Sequence, residues 1–164
     1  MEEVDANLLK MQVMAELGHS GHQYNLGLSL ARGFGVPVDH PQAVKWWRKS
    51  AEAGAAEAQN SLASAIFAGE GVAVDHDEAF KWYQLSANQG YKDAQYNLGV
   101  LLTNGLGVPM DHESAFKWFK LAAEAGHEQA MKFTCEAYIL GRGVPVDRVQ
   151  ALIWACNLEV AKRG

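Results

Sequence analysis

Apolar residues recur along the chain at the spacing of one helix face, in short segments that end at glycine. Residues three and four apart lie on the same side of an α-helix, so such a stripe predicts a helix that buries one face. In one segment the stripe consists of Ala58, Leu62, Ala63 and Ile66. Gly69 follows where a helix C-terminus favours positive φ. The pattern predicts a helix over residues 56–68.

A second helix is predicted after a short Gly-x-Gly-Val connection that directs its valine inward. It opens at Asp75, whose carboxylate is placed to accept hydrogen bonds from first-turn amides, and Glu78 three residues later completes a capping box. The helix ends at Gly90. Its predicted buried face consists of Ala79, Trp82, Tyr83 and Ala87. An Ala-x-x-Trp-aromatic pattern is therefore the core signature of the second helix.

The two-helix pattern recurs with a period of 36 residues. The recurring positions are Gly33, Gly69, Gly105 and Gly141; Gly35, Gly71, Gly107 and Gly143; Trp46, Trp82, Trp118 and Trp154; and Asp39, Asp75, Asp111 and Asp147. The glycines and aspartates are typical of helix ends, and the tryptophans are predicted to fill the volume between adjacent pairs. Small residues at Gly27, Ala63, Gly99 and Cys135 are predicted to let the partner helix approach closely.

Each helix pair is too small to bury its own apolar face, so neighbouring pairs must stack. The sequence therefore predicts an all-α solenoid of four helix-pair repeats in one domain, preceded by an N-terminal helix. The predicted boundaries are 1–17 for the capping helix, then 18–53, 54–89, 90–125 and 126–164 for the repeats, the last with the C-terminal helix.

The repeat unit resembles the Sel1-like repeat. The matching residues in the third unit are Leu98, Gly99, Leu102, Gly105, Gly107, Val108, Asp111, Ala115, Trp118, Phe119, Ala122, Ala123 and Gly126. The resemblance covers residues 18 to about 161. It implies a right-handed superhelix related to tetratricopeptide repeats, and a role as an adaptor or scaffold in signalling, protein quality control or bacterial host interaction.

The resemblance implies a concave surface lined by the first helix of each pair, where a peptide or protein partner binds. Candidate residues lie opposite the buried stripe, at 100° per residue. They are Tyr24, Leu28, Arg32, Glu57, Asn60, Phe67, Asp93, Tyr96, Asn104, Lys132 and Glu136. Exposed aromatics beside polar groups are typical of binding hot spots, which makes Tyr24, Tyr96 and Phe67 the leading candidates. The alternative for Phe67 is simple packing against the next helix.

Candidate chemistry is sparse. His40, His76 and His112 form one row, but equivalent helices lie too far apart for these side chains to share one zinc ion. Ser114 and Lys117 fit the Ser-x-x-Lys pattern of penicillin-recognising enzymes, without the partner motifs of that chemistry. The Gly-x-Gly-Val connections lack the strand and the lysine of a phosphate loop. We therefore predict no catalytic, metal or cofactor site.

The formal net charge of -5 argues against binding to nucleic acid or to an anionic membrane. The acidic N-terminus does not look like a signal peptide, and the two cysteines, Cys135 and Cys156, are predicted to point apart. These features favour the cytoplasm, while a periplasmic or secreted location stays open if the chain is a mature form or a fragment.

The favoured function is a non-catalytic interaction module. One alternative, based on family labels alone, is a β-lactam or cell-wall-directed hydrolase. Another is a self-assembling solenoid whose ends stack through Ile153, Leu158 and Val160 on the last helix.

Overall fold

The computed structural model describes residues 2–161, with side chains from residue 7 onward, and these residues form nine α-helices without strands. The helices are α1 (Glu2–Glu16), α2 (Ser20–Arg32), α3 (His40–Glu52), α4 (Ala56–Ala68), α5 (His76–Asn88), α6 (Lys92–Asn104), α7 (His112–Glu124), α8 (Glu128–Leu140) and α9 (Arg148–Ala161). The predicted helix over 56–68 is confirmed, and its stripe is buried. None of the described helices is long and apolar enough to cross a membrane.

The chain divides into two compact units, Met1–Leu85 and Ser86–Gly164, with the division inside α5. In unit 1, α1 packs on α2, α2 on α3 and α3 on α4. In unit 2, α6 packs on α7, α7 on α8 and α8 on α9. Consecutive helices thus bury one another's apolar faces, which is the architecture of an all-α helical-repeat solenoid.

The recurring aspartates cap the second helix of every repeat, as predicted. A carboxylate oxygen of Asp39 accepts a hydrogen bond from the Gln42 amide at 2.9 Å, and the same bond recurs in the other repeats. The predicted capping box at Glu78 is wrong. The Glu78 carboxylate accepts hydrogen bonds from Arg48 at 2.6 Å and from Trp82 Nε1 at 3.1 Å, and the Asp75 amide donates to the Ile66 carbonyl. The cap is therefore one-sided.

The first helices end at glycines in the left-handed region, with φ of 73° at Gly33 and 71° at Gly141. The second glycine of each connection has a further role where a neighbouring helix begins. A Cβ built on Gly71 would lie 2.6 Å from the His40 carbonyl oxygen, and one on Gly143 would collide with the carbonyl of His112. The connection therefore packs directly on the start of the preceding second helix. The recurring valine, as at Val72, is half-buried.

Close approach at the small positions is confirmed. A Cβ on Gly27 would lie 2.5 Å from Trp47 Nε1, and one on Gly99 would lie 2.7 Å from the Phe119 ring.

The placement of the recurring tryptophans needs a correction. Trp46, Trp82 and Trp118 are only half-buried, and in this series only Trp154 is buried. In the first three repeats the aromatic residue one position later fills the core instead. These core residues are Trp47, Tyr83 and Phe119. They face the small residues of the first helices, and therefore occupy the volume that the sequence pattern assigns to the tryptophans.

A buried glutamine also recurs every 36 residues in the first three repeats. The side-chain amides of Gln23, Gln59 and Gln95 donate to the carbonyls of Ala15, Ala51 and Ala87 at 3.0–3.3 Å. Each bond joins a first helix to the end of the helix before it. Sequence reasoning missed this series, although its spacing makes it visible.

Candidate protein-binding surface

A groove lies between the two first helices of unit 1. Its walls are Leu28, Ala31 and Arg32 of α2 and Ser61, Ser64 and Ala65 of α4, with His40, Trp47 and Glu70 completing it. The cavity volume is about 250 Å³. Trp47 is buried against Gly27, so the bottom of the groove is aromatic and rigid. We call this the unit 1 groove.

The same positions form a groove in unit 2. It lies between α6 and α8, above α7, and we call it the unit 2 groove. Its residues are Thr103, His112, Ala115, Phe116, Phe119, Phe133, Glu136, Ala137 and Arg142. Most of them occupy the repeat positions that line the unit 1 groove, with Phe119 in place of Trp47. The position of the groove therefore follows from the repeat, and its volume and polarity depend on the side chains at the lining positions.

One substitution between repeats explains why the unit 2 groove is narrower, with a volume of about 50 Å³. Phe133 stands where unit 1 has Ser61. Its ring stacks on Phe119, with centroids 4.9 Å apart and planes at 9°. The ring fills space that the small serine leaves open. The unit 1 groove is therefore the more accessible of the two.

The charged side chains at the rims differ between the two grooves. Glu70 on the connection of unit 1 corresponds to Arg142 in unit 2. On the α4 side, Ser64 corresponds to Glu136. The Ser64 hydroxyl is 2.9 Å from the hydroxyl of Tyr83, and burial raises the pKa of Tyr83. Tyr83 therefore stays neutral and able to donate this hydrogen bond. The two grooves thus present different polar groups to a ligand.

Three of the predicted binding residues line these grooves. Leu28 and Arg32 belong to the unit 1 groove and Glu136 to the unit 2 groove. The other predicted residues lie outside the grooves, half-buried or exposed on the first helices: Tyr24, Glu57, Asn60, Phe67, Asp93, Tyr96, Asn104 and Lys132. Sequence reasoning missed the contributions of the connection, Glu70 and Arg142. Both residues directly follow the glycine that ends the first helix, but the sequence does not show that this position lies on the rim of a groove.

Tyr96 lies inside an aromatic cluster. Its ring stacks on His127 with centroids 4.4 Å apart, and Phe119 and Phe133 lie at 5.7 and 6.0 Å. Sequence analysis treated Tyr96 as an exposed aromatic residue, from which little contribution to stability is expected. The ring contacts change that expectation, because removing Tyr96 opens a gap between α6 and α8. Tyr96 therefore packs against Phe119 and Phe133, two residues that line the unit 2 groove.

His127 completes the cluster and also begins α8. Its Nδ1 accepts a hydrogen bond from the Ala130 amide at 3.2 Å, and its Nε2 lies 3.8 Å from Asp93. Partial burial lowers the pKa of His127, while the Asp93 carboxylate opposes this shift. The neutral imidazole is therefore the form that caps the helix. No prediction from the sequence included this residue.

Two other predicted residues make contacts within their own part of the fold. The Phe67 ring lies 4.9 Å from that of His76, which favours the packing interpretation. The side-chain amide of Asn104 donates to the Val100 carbonyl at 2.8 Å, so it caps the end of its own helix. These contacts of Phe67 and Asn104 therefore stabilise the helices themselves.

The Ser-x-x-Lys pattern has a structural explanation. The Ser114 amide donates to Asp111, and Lys117 forms an ion pair with Glu113 at 2.7 Å. The hydrogen bond and charge of Glu113 raise the pKa of Lys117, whereas a lysine acting as a base needs a lowered one. The geometry thus does not favour acyl-transfer chemistry at this pair.

Metal binding and disulfide formation find no support among the described side chains. They contain no group of three or more histidine, cysteine or acidic residues able to hold a metal ion. Cys135 and Cys156 are both free thiols. Cys135 donates to the Ala151 carbonyl at 3.2 Å, and burial raises its pKa, whereas Cys156 is exposed. Cys135 thus faces α9 and Cys156 faces solvent, in agreement with the prediction that the two side chains point apart.

Comparison with family models gives a match to the Sel1 repeat. Four copies match, over residues 23–54, 56–91, 92–127 and 129–156. Each match begins in or beside a first helix and runs into the following second helix, and the fourth ends within α9, in agreement with the structural repeat. None of the curated proteins compared matches the chain.

Solved structures with this repeat are similar over nearly the whole chain. One is c5321, a protective antigen of uropathogenic Escherichia coli with an SLR fold, at 31% identity and a TM-score of 0.90 over 93% of this chain and 33% of that protein. A Sel1 repeat protein from Oxalobacter formigenes has 32% identity and a TM-score of 0.87, over 96% of this chain and 62% of its own. This chain therefore spans about a third and about three fifths of these two proteins.

A third solved structure has a similar fold at lower sequence identity. Helicobacter pylori cysteine rich protein B has 20% identity and a TM-score of 0.64, over 77% of this chain and 94% of that protein.

Proposed function

Because the chain belongs to the Sel1 repeat family, whose members are generally scaffolds for protein interactions, we propose that it binds a peptide or protein partner along its first helices. The proposed sites, which we together call the first-helix face, are the unit 1 groove and the unit 2 groove, each taken within its own unit. The observation that carries the proposal is their repetition at matching positions of two units, with an aromatic base in each. Each groove suits a side chain of an extended peptide.

The unit 1 groove is the better site for a ligand side chain. Ser61 leaves it open, whereas Phe133 fills the corresponding space in unit 2. Leu28 and the Trp47 ring provide apolar contact, and the hydroxyl of Ser61 offers a hydrogen bond to a backbone group. The combination of an apolar base with a polar wall is typical of peptide sites.

Charges at the rim add selectivity. Arg32 and Glu70 are both exposed on the border of the unit 1 groove. They are placed to pair with oppositely charged groups that flank a bound apolar side chain, which selects for orientation more than for affinity. A mixed polar and apolar segment is therefore the ligand class that the groove fits.

The test fills the unit 1 groove with the side chain that unit 2 already uses. The partner is first identified by affinity purification from the native cell, and its binding segment is synthesised as a peptide. Ser61→Phe is expected to weaken peptide binding at least tenfold, because the ring occupies the site of the ligand side chain. Lys81→Ser, on the exposed side of α5, is the control and is expected to bind normally.

Thermal unfolding checks that both variants remain folded. A folded Ser61→Phe variant with unchanged affinity would contradict the proposed site, because the ligand would then bind elsewhere. A hydrolase function receives no comparable support, since Lys117 of the Ser-x-x-Lys pattern is exposed and paired with Glu113.

A further inference from the structure

The unit 2 groove contains a side chain of the protein itself that shows what fits between two first helices. The ring of Phe133, which projects from α8, stacks on the core residue Phe119, with the ring centroids 4.9 Å apart and the planes at 9°. Phe133 is 38% exposed, so part of its ring remains open to solvent while the rest fills the groove. An aromatic side chain thus already occupies this groove in unit 2.

The unit 1 groove has the same construction without that ring. Seven of its nine lining positions recur among the lining positions of the unit 2 groove. At two of them Trp47 takes the place of Phe119, and Ser61 takes the place of Phe133. The cavity volume is about 250 Å³ in unit 1 and about 50 Å³ in unit 2. The space that one aromatic ring fills in unit 2 is therefore open in unit 1.

The polarity of the unit 1 groove favours an uncharged occupant. Most of its wall residues are uncharged, namely Leu28, Ala31, Ser61, Ser64 and Ala65. The charged residues Arg32 and Glu70 are exposed at the border, and the guanidinium carbon of Arg32 lies 5.9 Å from the centroid of the Phe34 ring. Ser64 also stands where the unit 2 groove has Glu136. A charged group placed over Trp47 would lose its water without gaining an ionic partner there.

The shape of the space favours a planar side chain over an aliphatic one. In unit 2 the occupying ring lies nearly parallel to the core aromatic ring, so the space is a flat slot beside that ring. In unit 1 the ring beside the slot is the indole of Trp47, which is held in place by its contact with Gly27. Offset stacking of two aromatic rings contributes affinity beyond the burial of their apolar area, which an aliphatic group of equal volume does not gain.

We propose that the unit 1 groove binds an aromatic side chain of the partner, seated where the Phe133 ring lies in unit 2 and stacked on Trp47. Phenylalanine and tyrosine have the ring size that Phe133 demonstrates. Because this side chain belongs to the peptide or protein partner described above, the inference rests on the proposed function. It adds that the partner segment must contain an aromatic residue, which serves as its anchor.

The test uses two small probes, so it does not require the partner. They are p-cresol, the side-chain analogue of tyrosine, and 4-methylcyclohexanol, its saturated analogue of similar size. The nuclear magnetic resonance signal of the Trp47 indole N–H reports binding, because this group is buried at the groove and has no hydrogen-bond partner among the described residues. Its absence from the spectrum of Trp47→Phe identifies the signal.

We expect p-cresol to shift the Trp47 signal with a dissociation constant of about 1 mM, and to bind about two- to tenfold more tightly than the saturated analogue. Ser61→Phe, which fills the space, should abolish the shift. Ser61→Ala, which keeps the space open, is the matched control and should bind p-cresol as the wild-type chain does. Equal binding of the two probes by the wild-type chain, or no shift with p-cresol, would overturn the proposal.

The reverse substitution tests the same idea in unit 2. Phe133→Ser removes the occupying ring, and p-cresol should then shift the methyl signal of Ala137, which lines that groove, whereas it should leave this signal unchanged in the wild-type chain. A folded Phe133→Ser variant without this shift would mean that the ring does not mark a site for a ligand.

The probes also separate this inference from the proposed function. If p-cresol shifts the Trp47 signal but Ser61→Phe binds the partner peptide normally, the groove accepts an aromatic ring and the proposed function alone fails. If Ser61→Phe loses the partner peptide but the wild-type chain binds both probes equally, the partner site stands and the aromatic anchor is refuted.

Discussion

Replacing one connection glycine by alanine tests how tightly consecutive repeats are packed. Gly143 and Gly126 both lie in unit 2 with positive φ, at 72° and 84°. An alanine Cβ at Gly143 would collide with the carbonyl of His112, whereas one at Gly126 meets no atom within 4 Å. The two substitutions therefore share the conformational strain and differ in the contact.

The magnitudes follow from this difference. An alanine in the left-handed region costs about 1–2 kcal/mol, partly offset by the lower entropy of the unfolded chain, and both terms apply to both variants. The collision at Gly143 involves backbone atoms that cannot rotate away, so it adds about 1–3 kcal/mol. We expect Gly143→Ala to lower the free energy of unfolding by about 1–3 kcal/mol more than Gly126→Ala does.

Urea unfolding, followed by far-ultraviolet circular dichroism, provides the comparison. Each variant is measured against the wild-type chain at the same concentration, because association of the chains would shift the midpoint. If the two variants lose the same stability within about 0.5 kcal/mol, the connection is not pressed against α7 and the packing argument fails.

Three further predictions concern single side chains. The neutral form of His127 caps α8, so its contribution to the free energy of unfolding should be fully present above the unfolded pKa of about 6.5 and be lost as the pH falls through the lowered folded pKa. In the variant His127→Asn, the urea midpoint should depend less on pH between about pH 5 and 8. A pH profile identical to that of the wild-type chain would contradict the assignment. Asp39→Ala should lower the free energy of unfolding by about 1 kcal/mol through loss of its hydrogen bond to the Gln42 amide, with Asp39→Asn nearer to wild type; equal losses would argue against the cap. Tyr96→Ala should cost about 2–3 kcal/mol in thermal or urea unfolding and Tyr24→Ala less than about 1 kcal/mol, whereas equal effects would contradict the aromatic cluster.

Sequence reasoning predicted those features that depend on local chemistry repeated at a fixed spacing. Asp39 and its equivalents act on amides three residues away, and Gly33 ends the helix that contains it, so both roles are visible in a short segment. Gly27 was recognised as a close contact because a glycine within an apolar stripe has no side chain to bury, so that a neighbouring helix can reach its backbone. The helical repeat therefore followed from the sequence with little ambiguity.

Features that depend on distant partners were less accessible. Glu78 has the spacing of a capping box, but Arg48 from the preceding second helix is a stronger partner for its carboxylate than a backbone amide. Tyr96 has the periodicity of an exposed residue, yet His127 and Phe133 of the next first helix cover it. Both errors arise where one repeat contacts the next, which a pattern within a single repeat does not describe.

The lining of the grooves was also only partly predictable from the sequence. Leu28 and Arg32 were identified from their position on the helix, but the openness of the groove depends on whether the next first helix carries Ser61 or a larger residue. Glu70 joins the rim because the connection folds back beside α4. The lining of the binding surface is therefore a property of neighbouring repeats together.

The affinity of the Ser61→Phe variant for the identified partner peptide is the most direct test of the central claim. Isothermal titration of wild type, Ser61→Phe and Lys81→Ser, all shown to be folded, compares the unit 1 groove with an exposed site elsewhere in the same unit. We predict at least a tenfold loss of affinity for Ser61→Phe and none for Lys81→Ser. Equal affinities for all three proteins would contradict binding at the first-helix face through the unit 1 groove.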